Sequence, residues 1–154
     1  MDQNEYKQIF DNVNLSADSK SAGRWETDKG GEYFAAGVGG AITGRGADLL
    51  IIDDPHSEQD ALSPSALESA WEWYSSGPRQ RLQPGGTIVI VMTRWSTLDL
   101  TSKLIKRMGE DNADQWEVLE LPAILDSGKP LWPEYWQIEE LEAVKASIPV
   151  AKWN

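Results

Sequence analysis

The sequence predicts an α/β fold built on a mainly parallel sheet flanked by helices. Two observations carry that prediction: two short, almost unbroken apolar runs, LLII within residues 48–54 and TIVIVM within residues 87–93, and a helix-patterned segment after each. Strands buried on both faces of a parallel sheet read as continuous apolar runs, and strands alternating with helices imply right-handed βαβ units. A third observation is size: 154 residues, 40% apolar and 25% charged, suit one globular domain with a buried core.

Residues 1–23 are polar and weakly patterned. Residues 24–27, then Lys29-Gly30-Gly31 and residues 32–38, read as a β-hairpin or a strand entering a glycine-rich turn. Residues 39–46 are loop-like, and residues 48–54 form the first buried strand, which ends in Asp53 and Asp54 before Pro55. Ser63 then supplies a capping hydroxyl and Pro64 the first helical position, with Leu62 placed to staple against Leu67. That helix runs to about residue 76, where Gly77-Pro78 stops it. Pro84-Gly85-Gly86 reads as a turn before the second strand, residues 87–93. Ser96 with Asp99 resembles a capping box, and Leu100, Leu104, Ile105 and Met108 follow at helical spacing until Gly109. Residues 116–121 are a third strand candidate and residues 138–146 a last helix. Ligands of such sheets sit beyond the carboxyl ends of the strands, so function is sought at those ends.

Composition narrows the chemistry. With no cysteine there is neither a disulfide nor a thiolate site, which fits a reducing compartment. His56 is the one histidine, and it reads as a solvated loop residue with no visible partner. Carboxylates, arginines and backbone must therefore carry any chemistry. A net charge of −11 argues against wrapping nucleic acid over the whole surface. The charge is unevenly spread, however: residues 79–107 hold six basic residues and one acid, while residues 110–145 hold ten acids and two lysines. The first stretch could face phosphates and the second would repel them, its acidic helix presenting a solvated face. No apolar run is long enough to span a membrane, and the polar start lacks the pattern of a signal peptide. Eight tryptophans, Trp71, Trp73, Trp132 and Trp136 among them, read as core or interface residues more than as base-stacking platforms.

A hydrophobic strand ending in adjacent carboxylates suits nucleotide hydrolysis: Asp53 would hold Mg2+ through its water shell, and Asp54 would orient or deprotonate the attacking water. The same pattern also fits a strand followed by an ordinary Asp-Asp-Pro turn. At the second strand end, Thr93 and Arg94 could sense a terminal phosphate, the arginine through a charge-assisted fork. The segment GGAITGRG, residues 39–46, nearly matches the phosphate-loop pattern GxxxxGK[ST]. It is rejected, because the element that follows is a strand and not a helix whose N-terminus could meet phosphates.

Taken together, TGRGADLLIIDDPH (residues 43–56), RLQPGGTIVIVMTRW (residues 81–95) and Asp99-Leu100 resemble the large terminase subunit of tailed bacteriophages. The resemblance covers roughly residues 24–110. It implies a P-loop NTPase-like fold of the RecA (ASCE) type, incomplete because the Walker A half is missing, with ATP and Mg2+ as ligands. In that family LLIIDD looks like the Walker B strand, placing Asp53 on the metal and Asp54 where most such motifs have the catalytic glutamate, one methylene longer. Thr93-Arg94-Trp95 looks like the coupling motif that links γ-phosphate state to DNA movement. Arg45 is similar in position to an arginine that some terminases insert into a neighbouring subunit's ATP site, and Arg81 is the rival for that role. An arginine finger contributes about 10³ to 10⁵ in rate in other NTPases.

The resemblance further implies double-stranded DNA as the thing moved, the portal protein and small terminase subunit as partners, a ring homo-oligomer, no membrane, and work in the host cytoplasm at the procapsid. Residues 1–130 would then be the C-terminal part of an ATPase domain, and residues 131–154 a connector toward a nuclease domain. Two other readings stand beside it: another ATPase of the same class, such as a helicase core, and a catalytically inert interaction module that kept the sheet.

Overall fold

The computed structural model describes residues 4–40, 42 and 44–148. Helix α1 spans Asn4–Ile9, and strands β1 (Leu15–Ser21), β2 (Arg24–Thr27) and β3 (Glu32–Phe34) follow as an antiparallel meander in the order β1-β2-β3. The hairpin expected over residues 24–38 is therefore present but stops at Phe34, and the weakly patterned opening supplies a helix and a third strand. Trp25 lies opposite Tyr33 across β2 and β3, and their rings stack at 4.7 Å. A cross-strand aromatic pair of this kind supports a register that little burial enforces.

Strands β4 (Ala47–Asp53) and β5 (Leu82–Val91) pair in parallel, with helix α2 (Pro64–Ser76) on the connection between them. Helix α3 spans Leu100–Arg107 and α4 Ile138–Ser147. The molecule is thus mixed α/β, with a two-stranded parallel sheet flanked by helices. The expected third strand over residues 116–121 does not form: half-buried Trp116 packs on the core, while Leu119 and Leu121 face solvent.

Strand β5 starts five residues earlier than its apolar pattern suggests and ends at Val91. Pro84-Gly85-Gly86 is no terminal turn: Ala47 pairs with Leu82 and Leu49 with Thr87, so a bulge absorbs the extra residues. Gly85 has φ +81°, and a Cβ at Gly86 would lie 3.0 Å from the Asp48 carbonyl oxygen. Glycine there permits the close strand approach that any side chain would prevent.

Helix α2 is capped as expected, with Ser63 accepting from the Ala66 amide at 3.3 Å and Pro64 in the first turn. It buries Leu67, Ala70 and Tyr74 on one helical face. Leu62 does not close the expected staple, because it is 77% exposed. The core gathers Ile52, Tyr74, Leu100 and Leu104, with Leu50, Ile88, Ile90, Trp71, Trp73 and Trp116 packed against it. Trp132 and Trp136, in contrast, are exposed. Both α2 and α3 contribute to the cluster on the Leu50, Ile52, Ile88 and Ile90 face of the sheet. On the other face Leu49, Ile51, Val89 and Val91 are exposed, so the apolar runs are covered on one side and not on both. No helix among the described residues is long and apolar enough to cross a membrane. Helix α4 is exposed apart from buried Leu141 and half-buried Ile138, as expected of a solvated acidic face.

Candidate functional site

Parallel pairing sets the carboxyl ends of β4 and β5 side by side: Asp53 is in register with Val91. The chain turns at Asp54, whose φ of +42° is left-handed and whose amide donates to the Val91 carbonyl at 2.9 Å. Aspartate tolerates this region better than most residues, but the conformation is strained. Both aspartates are exposed. Asp53 falls on the open face of the sheet, in the alternation that also exposes Leu49 and Ile51. The chain beyond β5 carries exposed Thr93 and Arg94, so the structure brings the two predicted strand ends together.

Arg94 is engaged within the chain. Its Nε donates to Asp99 Oδ2 at 3.1 Å and its Nη2 to the Ser102 hydroxyl. Asp99 is fully buried and is the N-cap of α3, accepting from the Ser102 amide at 2.8 Å; Ser96 is not the cap. Longer contacts of 3.4 Å join its Oδ2 to the Trp95 and Ser96 amides. Burial pushes the Asp99 carboxyl up, but the Ser102 amide and the Arg94 guanidinium outweigh it and hold the group below the usual aspartate range.

His56 is not a solvated loop residue. It is 4% exposed, and its Nε2 accepts from the Leu100 amide at 3.0 Å. An imidazole nitrogen that accepts carries no proton, so the neutral ring holds its hydrogen on Nδ1, which has no partner among the described residues. Burial pushes the His56 pKa down; Asp99 and Asp60 oppose that shift and Lys103 adds to it. A cavity of about 280 Å³ lies beside the ring, lined by Pro55, His56, Asp60 and Trp73 among others. Neither Asp53 nor Asp54 lines it.

Arg45 is tied to the first sheet: it pairs with Glu32, which Arg24 also contacts, and lies over the Phe34 ring at 4.4 Å. Arg81 has its Nε buried with no hydrogen-bond partner among the described residues. Thr43, which opens the motif set, lies outside the described residues, as do residues 149–154 of the expected connector. The basic stretch is largely spent internally, through Arg79 with Asp114, Arg94 with Asp99, Lys103 with Glu68, and Arg107 with Glu110. It is therefore a weaker phosphate-facing surface than its charge count implies.

The organising roles of His56 and Asp99 are not legible in the sequence. The Leu100 amide that His56 accepts lies 44 positions away, and no local spacing signals such a contact. Asp99 three residues before Ser102 is itself a capping signal, but the Ser96-Asp99 spacing competes with it in the sequence. No family model, no curated protein and no solved structure matches the chain.

Proposed function

We propose that the chain is part of a viral DNA-packaging ATPase of the large-terminase kind, in which ATP hydrolysis drives double-stranded DNA into a procapsid. The observation that carries this reading is the side-by-side placement of the Asp53-Asp54 end of β4 and the end of β5 leading to Thr93 and Arg94. One strand end offers carboxylates for Mg2+ and for the attacking water. The next offers a hydroxyl and a guanidinium that can respond to the terminal phosphate. The pattern GxxxxGK[ST] does not occur in the chain, so phosphate cradling would come from polypeptide other than these residues. Arg45 would serve as a finger only by leaving Glu32 and Phe34.

The test uses an assembled packaging motor that carries this chain. Asp53→Asn abolishes hydrolysis and packaging together, whereas Arg94→Ala leaves hydrolysis and loses translocation. Equal losses of both in Arg94→Ala would remove the coupling role. For the chain alone, turnover is negligible, and robust ATP hydrolysis that survives Asp53→Asn would sink the mechanism. The open face of β4 and β5 also favours a second reading, an inert interaction module that packs its sheet on a partner. Mg2+-dependent nucleotide binding by the assembled protein separates the two.

A further inference from the structure

Three contacts connect the candidate carboxylates to the candidate coupling arginine. The Asp54 amide holds the Val91 carbonyl, fixing the turn that delivers Pro55 and His56 into the interior, where both are buried. His56 Nε2 accepts from the Leu100 amide, the first residue of α3. The adjoining residue is Asp99, whose two oxygens divide their work: Oδ1 takes the Ser102 amide and Oδ2 takes Arg94 Nε. The first-turn amides of a helix have no intrahelical partners, and here the cap residue satisfies one while a side chain from the β4 end satisfies another. Leu100 has no exposed surface with the ring in place, so the imidazole and not water satisfies its amide.

We propose that His56 is a positioning residue: as the Nδ1–H tautomer, its Nε2 ties the Asp53-Asp54 end of β4 to the start of α3, and through Asp99 sets the place of Arg94. The functional consequence rests on the reading of Asp53 and Asp54 as Mg2+-nucleotide carboxylates; the tie itself does not. A shift of the β4 end when Mg2+ is taken up then moves Leu100 and Asp99, and with them the guanidinium. A residue that merely filled space would leave the response of Arg94 to Mg2+ unchanged when a ring of similar bulk replaces it, which is what makes the assignment testable.

The experiment is an Mg2+ titration of the whole chain followed by NMR at the Asp53 and Asp54 amides, the Leu100 amide and Arg94 Nε–H. It compares wild type with His56→Gln, which retains an acceptor, and His56→Phe, which retains bulk alone. In wild type and His56→Gln, Mg2+ shifts all four signals. In His56→Phe the aspartate shifts persist while those of Leu100 and Arg94 are lost, and the Leu100 amide loses its protection from hydrogen exchange. Arg94 responding equally in His56→Phe, or staying silent in wild type while Asp54 responds, overturns the relay. No response at Asp53 and Asp54 in wild type overturns the Mg2+-driven relay, whereas the nucleotide reading itself stands or falls on Mg2+-dependent nucleotide binding by the assembled protein. The tie is judged separately and without a substitution: imidazole ¹⁵N shifts of the wild-type chain report an unprotonated Nε2 if it exists, and a protonated Nε2 at neutral pH overturns it.

Discussion

At Asp99 a buried carboxylate is satisfied from several sides at once, by the α3 amide at Ser102, by Arg94 and by the loop amides of Trp95 and Ser96. Removing it leaves an uncapped helix and orphaned donors, so Asp99→Ala should cost about 2 to 4 kcal/mol, read from urea unfolding. A cost under about 1 kcal/mol would mean that water replaces the carboxylate freely. His56 acts in the same sense as Asp99 with pH, in a higher window. Its folded pKa lies below 6.5 because burial disfavours the cation. Below that value the unfolded chain binds more protons than the folded one, so stability is full above it and falls as pH drops toward the folded pKa. Thermal melts from about pH 7.5 to about pH 5.5 should show a falling Tm that flattens in His56→Gln. Asp99 and Asp60, the acids facing the ring, and Lys103, the cation, set where in that window the fall occurs.

Among the elements, α2 joins local signals to the core. Its cap, its proline and its Gly77 stop are written in adjacent residues, and its buried stripe is read from helical spacing. The staple illustrates the limit of that logic, since Leu67 is 2% exposed and Leu62 is 77% exposed. Leu67→Ala should therefore cost about 2 to 5 kcal/mol, while Leu62→Ala should stay within about 0.5 kcal/mol. Equal effects in chemical unfolding would show that Leu62 does pack. Strand β5 shows the converse, because Pro84 and two glycines look like a turn until pairing with β4 draws them into a bulge.

For the whole molecule, the notable quantity is apolar surface left uncovered. A two-stranded sheet is marginal alone, and here one face carries the helices while Leu49, Ile51, Val89 and Val91 lie open on the other. The double substitution Ile51→Thr, Val89→Thr should change stability by no more than about 1 kcal/mol while lowering self-association and hydrophobic-dye binding. Unchanged dye binding and association, with a large loss of stability, would mean that the face is covered in solution.

The residues of the chain by themselves determined β4, the apolar part of β5, the hairpin, α2, α3 and α4, since capping, turn chemistry and hydrophobic periodicity act over a few neighbouring positions. They also determined that paired carboxylates close β4 and that Thr93 and Arg94 follow β5. Tertiary structure decided what depends on residues far apart in sequence. It paired Leu82 with Ala47, left residues 116–121 without a strand partner, and covered the sheet on one side. It also spent Arg79 on Asp114, Arg94 on Asp99 and Arg45 on Glu32, and sent His56 inward to an amide 44 positions away. Burial is a property of what packs against a residue, and no local pattern encodes that neighbour.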